Sequence, residues 1–131
     1  MSDTPQLRAT AFPHSVGAAR LARLWVADEI RAMDLGQDRR EEVALLISEL
    51  VTNVVRHTDS DPVVSLRAER GRLVVGVADS SVRPAAVRDP DPDRPGGWGL
   101  RLVEQIADSW GTQHLDDGTK IVWFTVDYEQ C

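Results

Sequence analysis

The chain has 131 residues, which suits a single domain spanning 1–131 with a real hydrophobic core. A net charge of −6 and a pI near 5.0 argue against nucleic acid or an anionic membrane surface as the main partner. Cys131 is the sole cysteine, so no intrachain disulfide is possible. The first residues lack a basic stretch followed by an apolar one, and no run approaches the roughly 20 apolar residues of a membrane span. The expectation is a cytoplasmic protein that contacts neither membrane nor nucleic acid directly.

Residues 6–12 alternate apolar and polar, with Leu7, Ala9 and Ala11 on one side, and read as a short edge strand ended by Pro13. A helix is predicted over 15–33, with Ala18, Ala19, Ala22, Val26, Ile30 and Met33 on its apolar stripe. Ser15 reads as its N-cap and Gly36 as its stop. Arg20 and Arg31 fall opposite the stripe, with Leu24 beside them. A second helix is predicted over 38–56, its buried stripe formed by Val43, Ile47, Leu50 and Val54. Glu42, Glu49, Asn53 and Arg56 lie off that stripe.

Residues 62–69 and 73–79 flank Arg70-Gly71 and read as a β-hairpin, with the second run apolar enough for a central strand. That run ends in Asp79. Residues 80–97 lose all periodicity, carrying Pro84, Pro90, Pro92 and Pro95; a loop of this length in a compact domain reads as a lid, placed at 81–97. A third helix is predicted after Gly96-Gly97-Trp98-Gly99, with Leu100, Val103, Ile106, Ala107 and Trp110 at helical spacing to Gly111. A strand over 112–115, an Asp117-Gly118 turn and a long strand over 119–128 close the chain. The order β-α-α-β-β-α-β-β points to an α+β two-layer sandwich. Its sheet is mixed but mostly antiparallel, with the three helices on one face.

The residues able to carry chemistry are few. Glu49 and Asn53 are four apart on a helix, so both project from one face. A carboxylate there can take a proton from an attacking hydroxyl, and an amide oxygen can hold a hard cation such as Mg²⁺. A solvated helix face carries the same pair without function. Gly97 and Gly99 at a helix start let backbone N–H groups approach an anion, or merely end a loop. Asp79 at a strand end either accepts from an exocyclic amine or opens a turn. Gly118-Thr119 alone is a hairpin followed by a strand. No Walker A loop, Rossmann fingerprint, nucleophile elbow or His-based metal motif is present.

Taken in order, four motifs resemble the ATPase domain shared by gyrase, the heat-shock chaperones, the histidine kinases and the mismatch-repair proteins. They are Ile-Ser-Glu49-Leu-Val-Thr-Asn53-Val-Val-Arg56-His57, Val-Ala-Asp79, Gly97-x-Gly99-Leu100 and Gly118-Thr119. The small bacterial anti-sigma factor serine kinase branch is the most similar. The resemblance covers about residues 7–127 and implies the Bergerat-type ATP-binding fold. It implies ATP and Mg²⁺ as cofactors, with Asn53 as the metal ligand and Glu49 as the catalytic base. Arg56, Asp79, Gly97, Gly99, Leu100 and Thr119 would complete nucleotide binding, with Asp79 on the adenine amine. It implies a protein serine kinase whose partners are a sigma factor, an anti-anti-sigma antagonist, or both, and a homodimer is common in that branch. Arg20, Leu24 and Arg31 would bind the partner. The alternative is a kinase-inactive ATP-binding module that controls partner affinity. The chain departs from the family pattern after the adenine-side acid, where Asp79-Ser80-Ser81-Val82-Arg83 stands for the usual D-x-G-x-G.

Overall fold

The computed structural model describes residues 7–79 and 96–128, with the side chains of 96–99 outside the description. In chain order the described elements are β1 (Leu7–Ala11), α1 (Ala18–Glu29), α2 (Gln37–His57), β2 (Val63–Glu69), β3 (Arg72–Asp79), α3 (Gly96–Ile106), β4 (Ser109–His114) and β5 (Lys120–Asp127). The strands form one sheet in the order β1-β2-β3-β5-β4, with every pairing antiparallel. The element order and the α+β sandwich are those expected; the sheet has no parallel pair among the described strands. β3 is the central strand, as its apolar run requires.

The strand period of two assigns the faces. Val64, Leu66, Leu73, Val75, Val77, Phe124 and Val126 are all buried. The register aligns them on one face: Val64 opposite Val77, Leu66 opposite Val75, Val75 opposite Phe124 and Leu73 opposite Val126. α2 lies over this face and buries Val43, Leu46, Ile47, Leu50, Val51 and Val54. Each such side chain contributes about 1.5–3 kcal/mol by leaving water, so α2 is the helix the fold is built around. α1 packs beside it through Ala18 and Ala22, both fully buried. Their small size lets the two backbones approach closely.

Several local readings need correction. α1 is shorter than the periodicity implied: it begins after Gly17, and its N-cap makes no side-chain hydrogen bond, so Ser15 is not the cap. Ile30 and Met33 stay on the inner side but in a turn beyond the helix. Gly36 does not stop α1; it is the N-cap of α2. The reason is Arg40. Its guanidinium donates to the carbonyls of Ile30 (3.2 Å), Met33 (2.6 Å) and Leu35 (2.9 Å), satisfying chain-end acceptors that a longer helix would have bonded itself.

In β1 the apolar side is the outer one. Leu7 is 68% exposed, whereas Arg8 sits opposite buried Leu66 and pairs with Glu29 of α1 at 3.3 Å. An edge strand covered by a charged helix end does not need an apolar inner side. Trp110 belongs to β4, opposite Phe124, and not to α3. α3 ends at Ile106 because Asp108 turns the chain: its carboxylate accepts from Arg39 (3.1 Å) and from the backbone N–H of Asp127, and its own N–H donates to Thr125. Gly111 in β4 leaves the room that the ring of Trp123 occupies; a Cβ there would lie 2.7 Å from it.

Candidate functional site

Connectivity brings several of the predicted residues to one end of the sheet. α2 runs to His57 and turns into β2, which starts at Val63 opposite Ala78. The C-terminal half of α2 therefore ends where β3 ends. β5 starts at that same end, with Lys120 opposite Asp79. α3 leads into β4, whose first residue Ser109 pairs with Thr125 towards the opposite end of the sheet. Asn53, Arg56, Asp79 and Thr119 thus come from three separate segments to one end of the sheet, while Gly97, Gly99 and Leu100 lie in the opening of α3. Short loops and antiparallel pairing enforce this, because a slip of one residue in β3 would turn its whole core face to solvent.

Glu49 and Asn53 are both half-buried on α2, off the centre of the buried stripe, as expected. Arg56 is exposed one turn beyond, followed by His57 in the last turn of the helix. The end of α2 is fastened from two sides. Thr58 donates through both its N–H (3.0 Å) and its hydroxyl (2.8 Å) to the carbonyl of Val54. His14 contacts the carbonyl of Thr58 through Nε2 at 2.7 Å, and its N–H donates to Asp61 at 2.8 Å. An N–H donor is needed opposite a carbonyl, so Nε2 carries the proton.

Asp79 is half-buried at the end of β3, and Leu100 is half-buried in α3. Gly97 and Gly99 lie in the first turn of α3, which begins at Gly96. Backbone N–H groups of a first turn have no intrahelical partner, and glycine lets an anion come close to them. The predicted lid at 81–97 and the Ser80-Ser81 departure lie outside the described residues, except for Gly96 and Gly97 in α3.

Thr119 precedes β5 and is not part of it. Its N–H donates to Asp117 at 2.9 Å, and Gly118 takes a positive φ of 90° to close the turn. The Asp117 carboxyl is held below its ordinary range, first by that backbone donor and then by the Thr119 hydroxyl. A lowered folded-state value stabilises the fold above the unfolded carboxyl value of about 3.9, and the gain is lost as pH falls through the folded value. Thermal melting of the wild type and Asp117→Asn, followed from about pH 5 to about pH 2, is expected to show the wild-type advantage shrinking with acidification. An advantage that grows on acidification would contradict the turn geometry.

A hard cation bound together with phosphates needs few protein ligands. Mg²⁺ takes one or two protein oxygen ligands and completes its shell with water and substrate phosphate. Among the described residues no cluster of three or more His, Cys, Asp or Glu exists to cage a metal alone. Asn53, half-buried one turn after Glu49 on α2, could supply one such side-chain oxygen.

Two shallow cavities among the described residues lie elsewhere. One of about 930 Å³ is at the opposite sheet end, among Leu35, Gly36, Arg39 and Tyr128. Another of about 480 Å³ lies on the outer sheet face, near Leu7, Ile121 and Trp123. Neither contains a predicted nucleotide residue.

Among the expected partner residues, Arg20 and Leu24 are exposed on α1, and Arg31 is exposed in the turn after it, paired with Asp28 at 2.9 Å. Sequence reasoning missed Lys120, which the pairing sets beside Asp79. It also missed the bond from Arg23 to Ser48, 2.7 Å long, next to Glu49. The first was readable from the Gly118-Thr119 turn once that strand was paired with β3; the second has no sequence signal. No described helix is long and apolar enough to cross a membrane.

Comparison with known proteins identifies the family and the fold. The model of the family described as Histidine kinase-like ATPase domain matches residues 12–126. No curated protein matches the chain. A solved structure of the RsbU and RsbW domains of Rv1364c from Mycobacterium tuberculosis is similar, with a TM-score of 0.72 and 18% sequence identity over 93% of this chain. This chain spans only 32% of that one, and at such identity the likeness is one of fold.

Proposed function

Because the chain belongs to the histidine kinase-like ATPase domain family, we propose that it binds Mg-ATP at the sheet end that gathers Asn53, Asp79 and Thr119, together with the glycine turn of α3. We further propose that it acts as an anti-sigma-factor-like protein serine kinase in partner-switching control of transcription. The observation that carries the reading is the convergence of the end of α2, the end of β3 and the start of β5 at that one end of the sheet.

In this reading Asp79 accepts from the adenine amine, with Thr119 beside it. The first-turn N–H groups of α3 at Gly97 and Gly99 receive phosphate oxygens, Leu100 backs that turn, and Arg56 adds positive charge. Bound through Asn53, Mg²⁺ would neutralise phosphate charge. Glu49 takes the proton from a serine hydroxyl of the substrate protein as that oxygen attacks the γ-phosphorus. The bond from the γ-phosphorus to the bridging oxygen breaks, and ADP leaves with that electron pair. Positioning and electrostatics carry most of such a reaction, so one carboxylate suffices.

Arg20, Leu24 and Arg31 support docking of a sigma factor or an antagonist protein on the outer side of α1. At 57% exposure, Leu24 offers an apolar contact flanked by cationic ones. The reading includes a cytoplasmic location and a homodimer.

A second reading keeps ATP binding but not transfer: nucleotide would only set partner affinity. The replacement of D-x-G-x-G by Asp79-Ser80-Ser81-Val82-Arg83 favours it. Incubation with γ-labelled ATP and candidate antagonist proteins separates the two. Label on an antagonist serine is expected; nucleotide binding with no transfer to any antagonist would select the second reading.

A further inference from the structure

We infer that Arg23 is a positioning residue for the Glu49–Asn53 turn of α2, an inference that rests on the nucleotide reading above. Arg23 is half-buried in the seam between α1 and α2, and its Nη1 donates to the Ser48 hydroxyl at 2.7 Å. Such a charge-assisted bond is short and directional. Ser48 immediately precedes Glu49. Successive residues on a helix are rotated by about 100°, so Ser48 faces α1 while Glu49 and Asn53 face away from it. Holding the Ser48 side chain therefore fixes the roll of this turn about the helix axis. That roll determines where the carboxylate and the amide point.

Packing makes the tie effective. Ala18 and Ala22 bring the α1 backbone close to α2, which is why an arginine can bond across the seam without extending into solvent. Arg40 binds the turn that follows α1 through the carbonyls of Ile30 and Met33. α1 is thus attached to α2 at two levels and cannot shift without turning it. Arg20 and Leu24 flank Arg23 in sequence on the outward side of α1, so a protein docking there acts directly on the residue that holds the Glu49 turn.

The test titrates Mg-ATP calorimetrically into the full chain and into Arg23→Ala, Arg23→Lys, Ser48→Ala and the Arg23→Ala/Ser48→Ala double variant, with parallel thermal melts. Arg23→Ala and Ser48→Ala are each expected to weaken Mg-ATP by about fivefold with unchanged stoichiometry, and the double variant by no more than either alone. Arg23→Lys, which keeps a donor but not the fork, falls between. A purely structural bond would lower the melting temperature and the number of binding-competent sites, leaving the affinity of the folded fraction unchanged. That result, or losses that add in the double variant, overturns the inference alone. A wild-type chain that takes up no Mg-ATP overturns the nucleotide reading and this inference with it.

Discussion

Replacement of Glu49 by Gln is expected to leave Mg-ATP binding in place while phosphotransfer to a substrate serine falls by about 10²- to 10⁴-fold, the usual contribution of a positioned general base. Glutamine has nearly the same shape and keeps an oxygen at the same point, so the helix surface and the neighbouring Asn53 are preserved. What it lacks is a basic site for the hydroxyl proton. Glu49 is half-buried off the core stripe of α2, so the substitution removes no packing. Single-turnover transfer from labelled ATP, read beside a binding titration, separates the two effects. Equal loss of binding and transfer would place Glu49 in nucleotide affinity; undiminished transfer would remove it as the base.

Asn53→Ala should act on the other half of the chemistry. Loss of an oxygen that binds a cation or phosphate-linked water is comparable to loss of a hydrogen bond to a charged group. That is about 1.5–3 kcal/mol, or roughly a 10- to 150-fold weaker Mg-ATP affinity. The fold should survive. Asn53 is outside the stripe of Val43, Ile47, Leu50 and Val54, and alanine favours helix more than asparagine does. The variant should therefore show a helical circular-dichroism spectrum and a cooperative melt together with weakened nucleotide binding. Wild-type affinity in Asn53→Ala would mean that the amide does not hold the cation.

The two substitutions separate because sequence periodicity separated the residues first. The i, i+4 spacing of Glu49 and Asn53, set against the apolar stripe of α2, was enough to place both at the margin of the core. β3 was equally legible: an uninterrupted apolar run ending in an acid has few places to go except the centre of a sheet. The turn at Asp117-Gly118 also followed from local chemistry, since the positive φ at Gly118 is a conformation that L side chains avoid.

Other features depended on tertiary partners that no window of sequence contains. Trp110 has helical spacing with Val103 and Ala107, yet it pairs in β4 opposite Phe124, because Asp108 meets Arg39, 69 residues away, and turns the chain. Gly36 has the composition of a helix stop but caps the next helix, because Arg40 holds the turn after α1 through the carbonyls of Ile30 and Met33. The polar inner side of β1 makes sense only once Glu29 is known to lie over Arg8. The convergence at the Asp79 end is of the same kind. Its residues could be named from motifs, but their meeting is a product of strand order, and Lys120 entered the picture only through its register with Asp79.

The central claim is that this edge of the molecule is an Mg-ATP site. Calorimetric titration of the wild-type chain with ATP, with and without Mg²⁺, tests it most directly. The expected result is saturable binding of one nucleotide per chain at micromolar concentrations, strengthened by the metal. Absence of saturable heat with Mg-ATP, in protein whose melt shows it to be folded, would contradict it.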